Sequence, residues 1–107
     1  MAYPVSAGLL DACVLALLDR EDMYGYLLTQ NIQTSIGVSE STLYPVLRRL
    51  QKDGNLDVYD SPCQGRNRRY YSLTRSGTER LAEHRLEWKV FQKKIESLLG
   101  GTKDEPK

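Results

Sequence analysis

Leu9, Leu10, Cys13, Val14, Leu17 and Leu18 recur at helical spacing, which predicts a helix over Ser6 to Asp19 with Ser6 as its cap. The segment is apolar around much of its circumference, so it should be buried on more than one side. Arg20-Glu21-Asp22 interrupts the pattern. A second helix is expected from about Met23 to Gln33, with Tyr24, Leu27, Leu28 and Ile32 inward. Ser35-Ile36-Gly37-Val38 reads as a tight connection in which Gly37 supplies a positive φ. A third helix starts near Ser39 or Ser41 and ends before Gly54, its left-handed stop. Its inward stripe is Leu43, Val46, Leu47 and Leu50. Pro45 costs little if that helix begins around Ser41 and more if it begins at Ser39.

Leu56 to Tyr59 and Arg69 to Leu73 alternate like strands. Asp60 to Arg68, with Pro62 and Gly65, reads as the loop between them, the basic tip of a hairpin. Thr74 or Ser76 caps a last helix that runs to about Leu99 and stops at Gly100-Gly101; Ser76 to Glu79 has the capping-box spacing. In it, Leu81, His84, Trp88, Phe91, Ile95 and Leu98 form a heptad seam. Such a seam should pack against another long helix, and the chain offers none. A homodimer is therefore expected, with Leu10, Val14, Leu81, Trp88, Phe91, Ile95 and Leu98 at its interface, the arm lying against the partner's first helix or its matching arm. The order of elements predicts a mainly α fold with a small β-hairpin. It comprises a winged helix-turn-helix over 1–73, a dimerisation helix over 74–100 and a disordered tail over 101–107.

Composition narrows the class. The chain has 107 residues, 40% hydrophobic and 27% charged, as expected of one globular unit. Its longest fully apolar run, Ala12 to Leu18, is far short of the ~20 residues that span a bilayer. No basic start precedes an apolar core, so a cytoplasmic location without membrane contact is expected. The net charge of +1 is uninformative, but its distribution is not. Residues 1–22 hold one base and four acids, net −3; residues 23–75 hold seven bases and four acids, net +3. The positive excess falls on the predicted third helix and hairpin, and such a patch matters more for nucleic acid than the total.

No catalytic constellation is evident, so the chain is not expected to be an enzyme. There is one histidine, no glycine-rich phosphate loop and no C-x-x-C pair, and neither a metal nor a cofactor is expected. Cys13 reads as a buried small hydrophobe; Cys63, near Arg66, reads as an incidental loop thiol or as a thiol sensor.

Ser39, Ser41, Thr42 and Tyr44 sit at the start of the third helix, where short hydroxyls cap it or bond to phosphates and base edges. Tyr44 fits a core role equally well. Arg48, Arg49 and Lys52 lie on the outward side of that helix, as a solvated face or as phosphate contacts. Arg66, Asn67, Arg68 and Arg69 crowd the hairpin. Three arginines within four residues repel one another unless an anion lies between them, which favours phosphate or minor-groove contact.

Several of these segments together resemble the PadR family of transcriptional regulators. They are Met23-Tyr24-Gly25-Tyr26-Leu27, then Ser41-Thr42-Leu43-Tyr44-Pro45-Val46-Leu47-Arg48-Arg49-Leu50 with Asp53-Gly54, then Gly65-Arg66 leading to Arg69-Tyr70-Tyr71-Ser72-Leu73-Thr74 and Gly77. The resemblance covers roughly residues 9 to 99, and the single C-terminal helix is similar to the short subfamily. Ser41 stands where the family usually has glycine, and Asn55 where an apolar residue is more usual. The resemblance implies a DNA-binding regulator, a repressor released from a double-stranded operator by a small-molecule effector. It also implies that Trp88, with His84 and Phe91 nearby, lines a site for a planar aromatic or cationic effector. The plainer reading makes Trp88 an interface aromatic and His84 a polar interface position. The rival function is a winged-helix module that docks a protein and does not bind DNA.

Overall fold

The computed structural model describes residues 5–100. Along the chain run α1 (Ala7–Arg20), β1 (Met23–Tyr24), α2 (Gly25–Ile36), α3 (Glu40–Lys52), β2 (Leu56–Cys63), β3 (Arg66–Leu73) and α4 (Arg75–Leu99). The three strands form one antiparallel sheet in the order β1-β3-β2. This is a mostly helical winged-helix architecture with a wing-like hairpin and a long C-terminal helix. The tail expected to be disordered lies outside the described residues.

Ser6 caps α1, its hydroxyl accepting from the Leu9 N–H at 3.2 Å. Gly37 ends α2 in the left-handed region at φ 76°, donating back to the Gln33 carbonyl. Gly54, at φ 82°, ends α3: its N–H bonds to Gln51 O and the Asn55 N–H to Leu50 O, the paired bonds of a Schellman stop. Thr74, not Ser76, caps α4: its hydroxyl accepts from the Gly77 N–H and donates to Gly54 O. Ser76 instead donates to the Asn55 side chain, so the unusual Asn55 ties the end of α3 to the start of α4.

One core unites these elements. Leu10, Val14, Leu15 and Leu18 of α1 meet Leu28 and Ile32 of α2 and Leu43, Val46, Leu47 and Leu50 of α3. Met23, Leu56 and Tyr71 close it from the sheet and Leu81 from α4. Three sequence expectations change here. Met23-Tyr24 is a short strand rather than the start of α2, held by pairing to Tyr71 and Tyr70. The hairpin strands extend well past Tyr59 and begin before Arg69, leaving only Gln64-Gly65 as the turn. Both turn residues have positive φ, 53° and 79°, the requirement of a two-residue turn that matches strand twist. Finally, the first part of α4 packs on α1 of the same chain. Leu10, Val14 and Leu81, expected at a subunit interface, are at most 4% exposed inside this core.

Candidate nucleic-acid interface

α3 begins at Glu40 with Ser39 as its cap residue, so Pro45 falls in the second turn rather than the first. The proline has no N–H to offer the Ser41 carbonyl, and Ser41 lies on an exposed face of the helix. The cap hydroxyl does not bind the backbone. Ser39 Oγ lies 3.1 Å from Ser41 Oγ and 3.0 Å from Thr42 Oγ1, so three exposed hydroxyls cluster at the head of the helix. Leu43, Val46, Leu47 and Leu50 point inward and are buried; Arg48 and Lys52 are exposed on the outer side.

Arg49 departs from its expected role. Its guanidinium donates two bonds to the Asp11 carboxylate, Nη1 to Oδ2 at 3.0 Å and Nη2 to Oδ1 at 2.5 Å. The bond to Asp11 pushes the guanidinium pKa further up, so the charge is permanent. Asp11 is nearly buried on α1, and the pair joins the outer face of α3 to the core helix. An arginine that outward placement suggested for phosphate is engaged within the fold.

On the wing, the register places Arg66 and Arg68 on one face of β3 and Asn67 and Arg69 on the other. Arg66 adjoins the turn and is exposed. Arg69 lies 4.0 Å from Asp60, both side chains about two-thirds exposed, a pairing too open to neutralise it. Arg68 lies over the Tyr24 ring, its Cζ 4.6 Å from the centroid. Cys63, opposite Arg66 at the end of β2, is half-buried in a strand and not on a loop. Burial pushes the Cys13 thiol up, away from reactivity.

Because β1 is only two residues long, β3 projects beyond it. A cleft of about 360 Å³ opens there, between the start of α2 (Gly25, Tyr26), Tyr44 of α3 and Asn67, Arg68 and Arg69 of β3. Tyr24 and Tyr71 complete its lining. Burial raises the Tyr71 phenol pKa, and a bond to Asp22 raises that of Tyr59, so both stay neutral in the physiological range. Tyr44, for which core and surface roles were equally open, is half-buried: it packs against the core and borders the cleft.

α4 extends beyond the core, giving the molecule a long axis of 60 Å. Trp88, Phe91 and Leu98 of the seam are 43%, 55% and 79% exposed, and Ile95 is half-buried. Leu86, Val90 and Leu99 are exposed too, with Leu86 and Val90 on the side of the helix away from the seam. His84 is buried; its Nδ1 lies 3.9 Å from Glu87, and its Nε2 has no partner among the described residues. Three grooves, of about 280, 430 and 420 Å³, meet at Trp88, and Phe91 borders two of them. No described helix is long and apolar enough to cross a membrane.

Comparison with known proteins matches residues 14–83 to the Transcriptional regulator PadR-like family. The chain is 36% identical to Transcriptional regulator Rv3488 of Mycobacterium tuberculosis over 75% of its own length and 73% of that protein's. Among solved structures, smu.1704 from Streptococcus mutans has a TM-score of 0.87 at 40% identity, covering 99% of this chain and all of the other. A PadR-like transcriptional regulator from Bacillus cereus has a TM-score of 0.78 at 32% identity, covering 89% of this chain and 95% of the other. Members of that family are transcription regulators rather than enzymes; they bind DNA, typically as dimers. The chain belongs to the PadR-like family of transcriptional regulators.

Proposed function

We propose that this protein is a homodimeric repressor that binds a pseudo-palindromic operator and is released from it by a planar aromatic or cationic small molecule. α3 enters the major groove, and the wing reaches the flanking backbone or minor groove. The observation that carries the reading is the cleft in which Tyr44 of α3 faces Asn67, Arg68 and Arg69 of the wing. A phosphate seated there meets the Arg69 side of β3, with Arg68 at the cleft's edge on Tyr24, beside the helix that reads bases. The Ser39, Ser41 and Thr42 hydroxyls contact base edges or phosphates, Arg48 and Lys52 contact phosphates, and Arg66 extends the contact along the wing.

Effector binding is supported by the three grooves that meet at Trp88, whose exposed ring offers a stacking surface. Trp88, Phe91, Ile95 and Leu98 face the partner subunit, so a ligand wedged beside Trp88 changes the spacing of the two α3 helices. That spacing must match about one DNA turn, ~34 Å. A mobility shift with the DNA upstream of the protein's own gene tests the core of the reading: specific retardation is expected, and none at low salt would leave the protein-docking alternative. Planar dyes are expected to quench Trp88 fluorescence as DNA is released, and Trp88→Ala to lose that release. Unchanged release in Trp88→Ala would reduce Trp88 to an interface aromatic.

A further inference from the structure

The sheet face turned away from the core carries a row of aromatics. Tyr24, Tyr70 and Tyr59 are direct register partners across β1, β3 and β2. Tyr59 and Tyr70 stack at 5.5 Å and 12°, and Tyr24 meets Tyr70 edge-on at 5.7 Å and 69°. The row is tied at one end, where the Tyr59 hydroxyl donates to Asp22 at 2.5 Å. At its other end Arg68 lies on the Tyr24 ring. Tyr24 is also the residue from which α2 starts, so its backbone belongs to the helix-turn-helix while Arg68 belongs to the wing.

This arrangement has a consequence for charge presentation. A free arginine has many rotamers, and ordering it costs entropy when it binds. Arg68 has already given up part of that freedom. Its Nε is buried, with no hydrogen-bond acceptor among the described residues. Guanidinium tolerates this because it is planar and weakly hydrated, and an aromatic face attracts it; an ammonium would be less well suited. Tyr24 and Arg68 both line the cleft between α2, α3 and the wing. We propose that Tyr24 is a positioning residue for nucleic-acid binding, its ring holding the Arg68 guanidinium at that cleft so that the wing presents an oriented cation to a phosphate. The inference rests on the DNA-binding reading given above.

The test measures anisotropy of a fluorescein-labelled duplex of random sequence, titrated from about 50 to 200 mM salt. Arg68→Ala should weaken binding and lower the salt slope by about one unit. Tyr24→Leu should also lower the slope, by up to the same amount, although it removes no charge, and weaken binding roughly three- to fivefold. A merely structural residue would not change the number of phosphates engaged. Tyr24→Phe keeps the ring face and should bind like the wild type. The double variant Tyr24→Leu/Arg68→Ala should be no weaker than Arg68→Ala alone. Arg68→Lys keeps the charge but not the planar stack, and should fall below the wild type; it decides the matter if Tyr24→Leu does not fold. A wild-type slope in Tyr24→Leu, multiplicative losses in the double variant, or wild-type binding by Arg68→Lys overturns the proposal. Wild-type binding by Arg68→Ala overturns it as well while leaving the DNA reading intact. Failure of the wild type to bind duplex at all overturns that reading and the positioning role with it.

Discussion

Asp11 and Arg49 lie 38 positions apart, and neither is informative alone. Asp11 sits among leucines on α1, where an unpaired carboxylate would be costly; Arg49 sits on the outer side of α3, where a DNA contact is a natural reading. Their two-bond pairing settles both. Arg49→Ala should cost about 2 kcal/mol, since it strands a nearly buried carboxylate while the arginine itself is partly solvated. Urea unfolding measures the loss, and the salt slope of DNA binding should stay at its wild-type value. Gly77 is a second case in which a single position carries a packing constraint. A Cβ there would lie 2.2 Å from the Asn55 carbonyl oxygen and 2.7 Å from Leu73 Cδ1. Backbone on one side and a core leucine on the other leave little room to yield. Gly77→Ala should therefore destabilise by about 3 kcal/mol, despite alanine's better helix propensity. A midpoint equal to the wild type's would show that the junction relaxes.

Among the elements, helices were more legible than strands. The stripe of α3 and its glycine stop are local patterns, and both are present as expected. From sequence the hairpin looks short, because Pro62 and the Gln64-Gly65 pair are weak strand and turn signals. Pro62 is accommodated because β2 is an edge strand, and Gln64 adopts a positive φ because the flanking ladder imposes it. β1 was invisible: two residues become a strand only when β3 lies beside them. The longer hairpin also moves Arg66 to the end of a rigid ladder. Arg66→Ala should lower the salt slope of DNA binding by about one unit without altering stability. An unchanged slope would remove the wing end from the interface.

At the scale of the whole molecule, α4 divides its apolar residues between two tasks. Leu81 and His84 are buried on α1 within the subunit, whereas Phe91 and Leu98 are mostly exposed among the described residues. Deleting α4 would empty part of the core, so charge on exposed positions is the cleaner probe of assembly. The double variant Phe91→Glu/Leu98→Glu should stay folded by circular dichroism and become monomeric by light scattering, since each glutamate would be desolvated at an interface. It should also lose cooperative operator binding. A dimer that persists would place the interface elsewhere.

Features that depend on neighbours within a few positions need nothing beyond the local sequence. The helical stripes, the Ser6 cap, the glycine stops at Gly37 and Gly54 and the heptad of α4 are set by short-range sterics and hydrogen bonding, and they carry the family's signature. Which members of a stripe face which surface depends on long-range packing. Leu10, Val14 and Leu81 look like interface residues in a pattern, but the path of the chain encloses them in one subunit. Arg49 and Arg68 look like free cations in a pattern, but one meets a carboxylate on α1 and the other an aromatic ring beside α2. Periodicity defines an apolar or polar face; only packing, through the long-range partners it brings into reach, selects what that face touches.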